Sequence, residues 1–325
     1  MTMADSSLAH QSAQSARFEV VPFKAALGAE IRGYDITTLD DATFKRIHDV
    51  WLDNVLLAFR GQSVSAEELV SLVKRFGTPV SSSNLHQRDL PERAAHELYK
   101  LPAEVTVVSN VKEAGKTIGI LGDGEIVWHS DFSFKEAPTA ARMLVAKEIP
   151  PNEKGGNTIF LNCYAAYDAL TAAQKKRIAG KTIKQGNIVD TAMKLRPGAS
   201  LADDIRYTPG PSHPIISTHP ETGCNTLFLG RRHSAYVNGM SLEESEALLD
   251  ELWAHVDQPR FCYEHVWSVG DVVIWDNRAT LHKRDAFDSA ERRVLYAAQV
   301  EGHKPYEAPN ALDLPAHPRA RLINL

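Results

Sequence analysis

The sequence predicts a mainly β fold with peripheral helices, built on a jelly-roll (double-stranded β-helix) core. Three observations carry that reading. From residue 105 onward, short runs rich in β-branched and aromatic residues recur between turn signals. Of the few helical stretches, three are announced by a capping box, and they lie apart from one another. No linker or internal repeat divides the chain, so many short strands and few helices must share one core.

Taken in order, Phe18–Pro22 and Ala29–Gly33 read as strands, bounded by Gly28 and Gly33. Thr43–Leu52 places Phe44, Ile47 and Trp51 at helical spacing. Val55–Phe59 is a short buried strand. Ser65-x-x-Glu68 opens a helix with Leu69, Leu72, Val73 and Phe76 on one face, closed by Gly77. Residues 78–104 read as polar and irregular. The strand candidates that follow are Val105–Ser109, Ile126–His129, Arg142–Lys147, Thr158–Asn162, Lys181–Gly186, His213–Thr218, Thr226–Leu229, Asp271–Asp276 and Arg293–Val300. Thr171-x-x-Gln174 and Ser241-x-x-Glu244 cap the two helices that interrupt them. One domain is expected over residues 18–302, after a loose leader (1–17) and before an extended Pro-rich tail (303–325).

Lys and Arg total 36 against 41 Asp and Glu, a net charge of −5. That balance argues against a general nucleic-acid binder, which needs an electrostatic footprint for phosphate. The three cysteines, Cys163, Cys224 and Cys262, form no disulfide framework and no CxxC pair. The leader lacks an apolar signal segment, and no apolar run approaches the ~20 residues needed to span a bilayer. A cytoplasmic protein with a small-molecule substrate, and neither nucleic acid nor membrane as partner, is expected.

Chemistry-bearing residues cluster in four places. In Trp128-His129-Ser130-Asp131, strand alternation puts an imidazole and a carboxylate on one face if the strand runs through both. A surface pair would read the same. The apolar run Val272–Trp275 ends in Asp276-Asn277-Arg278, and His282 follows. His129, Asp131 and His282 together make a 2-His-1-carboxylate set, the pattern of non-heme Fe(II) oxygenases with open coordination positions. Arg293 opens the next strand and could grip a carboxylate in a bidentate fork, or be a solvated arginine. Gly155-Gly156-Asn157-Thr158 is a Gly-rich turn that could present a hydroxyl to the same carboxylate.

The order and spacing of these segments resemble the taurine dioxygenase / 2,4-dichlorophenoxyacetate dioxygenase (TauD/TfdA) family of Fe(II)- and 2-oxoglutarate-dependent dioxygenases. The resemblance runs from about residue 18 to 302. It includes Leu27-Gly28-Ala29-Glu30-Ile31, Trp128-His129-Ser130-Asp131, the Gly-Gly-x-Thr turn, His219-Pro220-Glu221-Thr222-Gly223, Trp275-Asp276-Asn277-Arg278, and Arg293 eleven residues after His282. It implies Fe(II) held by His129, Asp131 and His282, with 2-oxoglutarate as cosubstrate and O2 as oxidant. It further implies Arg293 and Thr158 on the distal carboxylate of 2-oxoglutarate, and a homo-oligomer. Members acting on sulfonates or carboxylates carry a second arginine four residues after the first; here that position is Ala297. The implied pocket is therefore more apolar than that of the namesakes, and the substrate is not taurine. Ser82, His86, Phe132 and Ala297 are the expected substrate contacts.

The reaction so implied is hydroxylation of a small organic substrate with release of succinate and CO2, and bond cleavage where the hydroxylated carbon bears a heteroatom. Two other classes use the same residues. A zinc hydrolase would employ the His/Asp/His set around a metal-bound water but gives Arg293 and Thr158 no task. A non-catalytic binding module would not need the ligand set intact.

Overall fold

The computed structural model describes residues 17–81, 92–196, 198–200 and 204–320. The chain opens with β1 (Glu19–Pro22) and β2 (Ala29–Arg32), then α1 (Asp41–Asn54), β3 (Leu56–Phe59), α2 (Ala66–Phe76) and α3 (Glu92–Tyr99). There follow β4 (Thr106–Ser109), β5 (Lys112–Glu113), β6 (Lys116–Thr117), β7 (Ile120–Leu121), β8 (Ile126–His129), β9 (Ala141–Glu148) and β10 (Thr158–Asn162). Helices α4 (Cys163–Asp168) and α5 (Ala172–Ile178) lead to β11 (Thr182–Gln185), β12 (Ser212–Pro214), β13 (Ile216–Thr218), β14 (Asn225–Leu227) and β15 (Ala235–Val237). Helix α6 (Leu242–Val256) precedes β16 (Cys262–His265), β17 (Val272–Asp276), β18 (Thr280–Arg284) and β19 (Val294–Val300).

An eight-stranded sheet of order β1-β2-β3-β17-β9-β19-β4-β7 forms the centre. A four-stranded sheet, β16-β10-β18-β8, covers one of its faces. The period of two along each central strand divides the core between those faces. Val273 and Trp275 of β17, Leu144 and Ala146 of β9, and Leu295 and Ala297 of β19 share one apolar cluster with Phe160, Leu161 and Leu281 of the small sheet. Their alternates, Val272, Ile274, Met143, Val145, Ala298 and Val300, pack instead with Ile47 and Trp51 of α1 and Leu69 and Val73 of α2. With both faces buried, the central strands read as unbroken apolar runs, and that is why they were legible.

All three expected capping boxes form, at Ser65/Glu68, Thr171/Gln174 and Ser241/Glu244. Each N-cap side chain satisfies a helix N–H that would otherwise lack a partner. Several elements differ from the sequence reading. Residues 78–104 contain α3, which places Ala95 in a small cluster with Val107, Val111 and Ile118. The expected strand His213–Thr218 is two, because the chain changes partner at Ile215: β12 pairs with β11 and β13 with β14. Six strands were not expected: the two- and three-residue β5, β6, β7 and β15 and, at ordinary strand length, β16 and β18. The last two carry His and charged residues where an apolar alternation would have marked a strand.

The tail does not stand away from the body. The His317 ring stacks on Tyr164 at 4.1 Å, Arg319 donates to the Gly28 carbonyl at 2.6 Å, and Ala311 and Ala320 join the core. Among the described residues no helix is long and apolar enough to cross a membrane.

Because Ile274 faces α1 and α2 rather than the small sheet, Ile274→Ala should destabilise the fold by about 2–5 kcal/mol. Urea unfolding checks this, and a cost below about 1 kcal/mol would contradict the packing described.

Candidate functional site

The register of β18 sets the site. His282 stands opposite Phe160 of β10 on one side and opposite His129 of β8 on the other. An isolated antiparallel bridge extends the row from His129 to Arg231. Directly opposed residues on antiparallel strands share a face. Phe160, His282, His129 and Arg231 therefore form one row, directed at the large sheet, where Trp275 meets Phe160 and His282 with ring centroids at 5.1 and 5.0 Å. Two residues along, the same face presents Thr158 opposite Arg284.

Asp131 reaches the row by a different route from the one expected. Strand alternation would carry it beside His129, but β8 ends at His129 and Asp131 lies in the turn beyond it. Asn277 fixes that turn. Its side-chain oxygen accepts from the Asp131 N–H at 2.8 Å, and its amide donates to the Asp131 carbonyl at 3.0 Å and the Thr139 carbonyl at 2.8 Å. The Ser130 hydroxyl donates to the Asn277 carbonyl at 2.9 Å. Behind Asn277, His219 and Arg278 hold the buried Asp276 carboxylate at 3.0 and 2.6 Å, and Arg278 also meets Glu221 at 2.6 Å. The two segments His219–Gly223 and Trp275–Arg278 are thus one scaffold that positions Asp131.

The ligand atoms of His129, Asp131 and His282 all lie within 4.8 Å of one another, and all three residues are buried. His129 Nδ1 faces the Val127 carbonyl at 2.8 Å. A carbonyl only accepts, so Nδ1 carries the proton and Nε2 presents a lone pair inward. The His129 and His282 Nε2 atoms stand 3.7 Å from Asp131 Oδ1 and Oδ2 respectively, too far for hydrogen bonds. Oδ1 accepts from Arg142 Nη1 at 2.6 Å. Oδ2 is buried and has no hydrogen-bond partner among the described residues.

Burial would raise the Asp131 pKa, but the Arg142 guanidinium and the two histidines outweigh it and hold the carboxyl well below its usual range. Burial, reinforced by the neighbouring His129, pushes His282 well below the ordinary histidine value. An ionised carboxylate with one orphaned oxygen, facing imidazole lone pairs in a buried site, fits a divalent first-row cation.

Arg293 and Thr158 form a neighbouring cluster. Arg293 is 2% exposed, and its Nε donates to the Gly156 carbonyl at 3.2 Å. Gly156 has φ +88°, and a Cβ there would stand 3.3 Å from Arg293 Nε. The Gly-rich turn thus allows backbone to approach the guanidinium closely. Thr158 Oγ1 accepts from the Trp267 indole at 3.0 Å, leaving its own proton free to donate elsewhere. Arg284 and Arg293 lie 5.0 and 5.8 Å from the Phe287 ring centre. Among the described residues no carboxylate pairs with Arg293, and burial beside Arg284 pushes it down to about 9.

A cavity of about 630 Å³ opens beside the triad. Phe132 walls it as expected, next to Phe134 at 5.6 Å between centroids. Ala297 is fully buried in the core, and the cavity is walled from that part of the large sheet by Thr106 and Gln299. Ser82 and His86 lie outside the described residues. The expected apolar character is only partly found, since Lys135, Arg142, Lys194, Arg196 and Arg231 all line the cavity. Sequence reasoning missed Arg142 and Arg231. Arg142 could have been noticed as a charge inside an otherwise apolar strand.

Residues 19–299 match the family model described as Taurine catabolism dioxygenase TauD, TfdA family. The chain is 33% identical over 292 residues to pentalenolactone F synthase of Streptomyces arenae, covering 85% of this chain and 93% of the relative. It is 30% identical over 304 residues to the (S)-phenoxypropionate/alpha-ketoglutarate-dioxygenase of Delftia acidovorans, covering 89% and 97%. A crystal structure of a taurine dioxygenase from Burkholderia xenovorans superposes with a TM-score of 0.69 at 29% identity, covering 90% of this chain and 94% of that one.

Asn277→Ala should cost roughly 1–3 kcal/mol of stability, because it strips partners from buried backbone groups. It should also weaken Mn(II) binding about 10-fold or more by releasing Asp131. Urea unfolding and a Mn(II) titration followed by electron paramagnetic resonance read the two effects. Unchanged Mn(II) affinity would show that Asp131 does not depend on this scaffold.

Proposed function

Because the chain belongs to the TauD/TfdA family of 2-oxoglutarate-dependent dioxygenases, we propose that His129, Asp131 and His282 hold Fe(II) and that Arg293 and Thr158 grip the distal carboxylate of 2-oxoglutarate. One observation carries this reading. The triad row and the Thr158–Arg284 row lie on one sheet face, two residues apart. That separation is about 7 Å, of the order of the length of a five-carbon dicarboxylate. A metal-binding row, with Thr158 at this spacing and the unpaired Arg293 packed with Arg284 around Phe287, suits one bidentate keto acid.

With O2, the Fe(II)/2-oxoglutarate pair supplies the oxidising chemistry that hydroxylates a small organic substrate and yields succinate and CO2. The chain's own residues prepare the ground. Arg142 occupies Asp131 Oδ1 and leaves Oδ2 as the donor. The Val127 carbonyl sets the His129 tautomer. Phe160 and Trp275 pack against His282 and exclude water from that side. Arg293 is costly to bury without an anion, and the distal carboxylate supplies one. Phe132 and Phe134 offer an apolar wall to substrate. A substrate other than taurine is supported by Ala297, which stands where the resemblance leads one to expect a second arginine. Cleavage follows hydroxylation where the attacked carbon bears a heteroatom.

Two antiparallel sheets facing each other across one core support a double-stranded β-helix, and we read residues 18–302 as a single catalytic domain. The Pro-rich tail, residues 303–325, then serves as a strap, since its described part docks on its own chain. A homo-oligomer, most simply a dimer, accords with the general prevalence of two-fold assemblies. Cysteines without disulfides support a cytoplasmic setting.

Under anaerobic conditions, Fe(II) and 2-oxoglutarate should give a weak visible charge-transfer band. Arg293→Lys keeps the charge but loses the planar fork, and should weaken 2-oxoglutarate about 10- to 100-fold while Fe(II) still binds. Thr158→Val should weaken it less. Equal 2-oxoglutarate affinity in wild type and Arg293→Lys would remove Arg293 from the site. His129→Ala and His282→Ala should each abolish succinate formation with circular dichroism unchanged, and retained turnover in either would exclude that residue as a ligand.

A further inference from the structure

Register places a polar pair on the large-sheet wall of the cavity. Arg142 of β9 stands opposite Trp275 of β17 on one side and opposite Gln299 of β19 on the other. Ala297, two residues back along β19, faces the small sheet together with Leu295, and Gln299 therefore shares that face. Thr106 of β4 is directly opposite Ala297 and shares it too. Thr106 and Gln299 are each 7% exposed, and both line the cavity beside the triad. Ala297, which adjoins both, adds only a buried methyl group. An amide and a hydroxyl thus flank a position that no long side chain fills.

Among the described residues neither side chain has a hydrogen-bond partner, and Gln299 Oε1 is buried in that state. Their backbones, by contrast, are engaged. Val80 N donates to the Gln299 carbonyl at 2.9 Å, and both strands pair within the large sheet. Rigid strands therefore hold an amide and a hydroxyl at the cavity wall with nothing to bind. A buried amide left unpaired is unfavourable in the free protein. A half-turn about its last bond exchanges oxygen and nitrogen, so it can offer the cavity an acceptor or a donor, and a hydroxyl offers both. The wall carries no spare charge here. Arg142 is the one charged side chain that the large sheet contributes to the cavity among the described residues, and Asp131 neutralises it at 2.6 Å.

We propose that Gln299, with Thr106, is a specificity-determining contact of the primary substrate, and that it takes an uncharged group able both to donate and to accept a hydrogen bond. A hydroxyl or a primary carboxamide on an apolar body has that chemistry. The polar group pairs with the Gln299 amide and the Thr106 hydroxyl, and the body lies against Phe132 and Phe134. A molecule of the same shape without the polar group leaves the amide unpaired and is rejected for that reason. This rests on the dioxygenase reading above and deepens it by naming a neutral hydrogen-bonding subsite on β19 and β4.

The test uses the whole chain with Fe(II) and 2-oxoglutarate under anaerobic conditions. The probes are aryl and cycloalkyl alcohols and primary carboxamides, each paired with the compound in which methyl replaces the hydroxyl or the amide nitrogen, and with the matching carboxylate. Binding is read as a perturbation of the visible band. Some alcohols or carboxamides should bind about 10-fold or more tighter than their methyl counterparts. Gln299→Met keeps the bulk but removes the amide, and should abolish most of that preference while 2-oxoglutarate affinity stays within about twofold. Thr106→Val should show a smaller loss. A second reading needs no probe. An amide without a partner gives the free protein nothing, so Gln299→Met should unfold in urea at or above the wild-type midpoint. Equal binding of polar and methyl members across the panel, or a preference unchanged in Gln299→Met, would overturn the proposal. So would a Gln299-dependent preference for the carboxylate over its carboxamide, or a lowered urea midpoint, which would assign the amide a structural partner. Absence of the band in wild type, before any probe is added, would instead count against the dioxygenase reading itself.

Discussion

A buried carboxylate has to be compensated, and the site is organised around the way Asp131 meets that demand. Arg142 offsets its charge from one side at 2.6 Å, while the imidazoles of His129 and His282 face it from the other. The compensation is deliberately incomplete, because one carboxylate oxygen remains buried without a partner among the described residues. A buried acceptor in that state costs about 1–3 kcal/mol. A divalent cation bound there would remove the cost, and the same binding energy would then stabilise the folded chain. Arg142 also limits how the carboxylate can bind, since an oxygen already engaged by a guanidinium is a poor second ligand.

The packing explains how such a residue is held still. Asp131 lies in a turn, where position is easily lost, and Phe132 beside it has φ +55°, an unfavourable conformation for a bulky residue. Asn277 restrains the turn from the end of β17, the strand whose Trp275 packs against His282. Asn277 is itself flanked by the buried Asp276 network, which reaches His219 and Arg278. The carboxylate and one histidine are therefore tied to the same strand end. A change in the packing of β17 between α1 and the small sheet would reach the site through both.

Much of this was legible in the sequence. The central strands announced themselves because both faces of their sheet are buried, and the helix starts because a capping box is a local signal. His129, Asp131 and His282 were expected together on the strength of the family resemblance, and the structure brings them to one place. What was not legible depends on pairing between distant segments. The route of Asp131 through a turn, the cross-strand row that ends at Arg231, and the neutralisation of Asp131 by Arg142 are all consequences of register. Register is not written in any one segment. Strand β18 shows the difficulty: Thr280–Arg284 looks polar because the residues that disqualify it as an apolar strand, His282 and Arg284, are the ones its burial serves. Likewise the absence of charge at 297 was visible, but the cations that enter the cavity from other strands were not.

The central claim is that Asp131 Oδ2, with Oδ1 held by Arg142, completes one metal site with His129 and His282. Anomalous diffraction from crystals soaked anaerobically in Mn(II) tests it most directly. The account predicts a single strong peak within bonding distance of Asp131 Oδ2 and both histidine Nε2 atoms, with the Arg142–Oδ1 contact intact. A peak away from these three atoms, or a carboxylate that chelates through both oxygens after displacing Arg142, would contradict it.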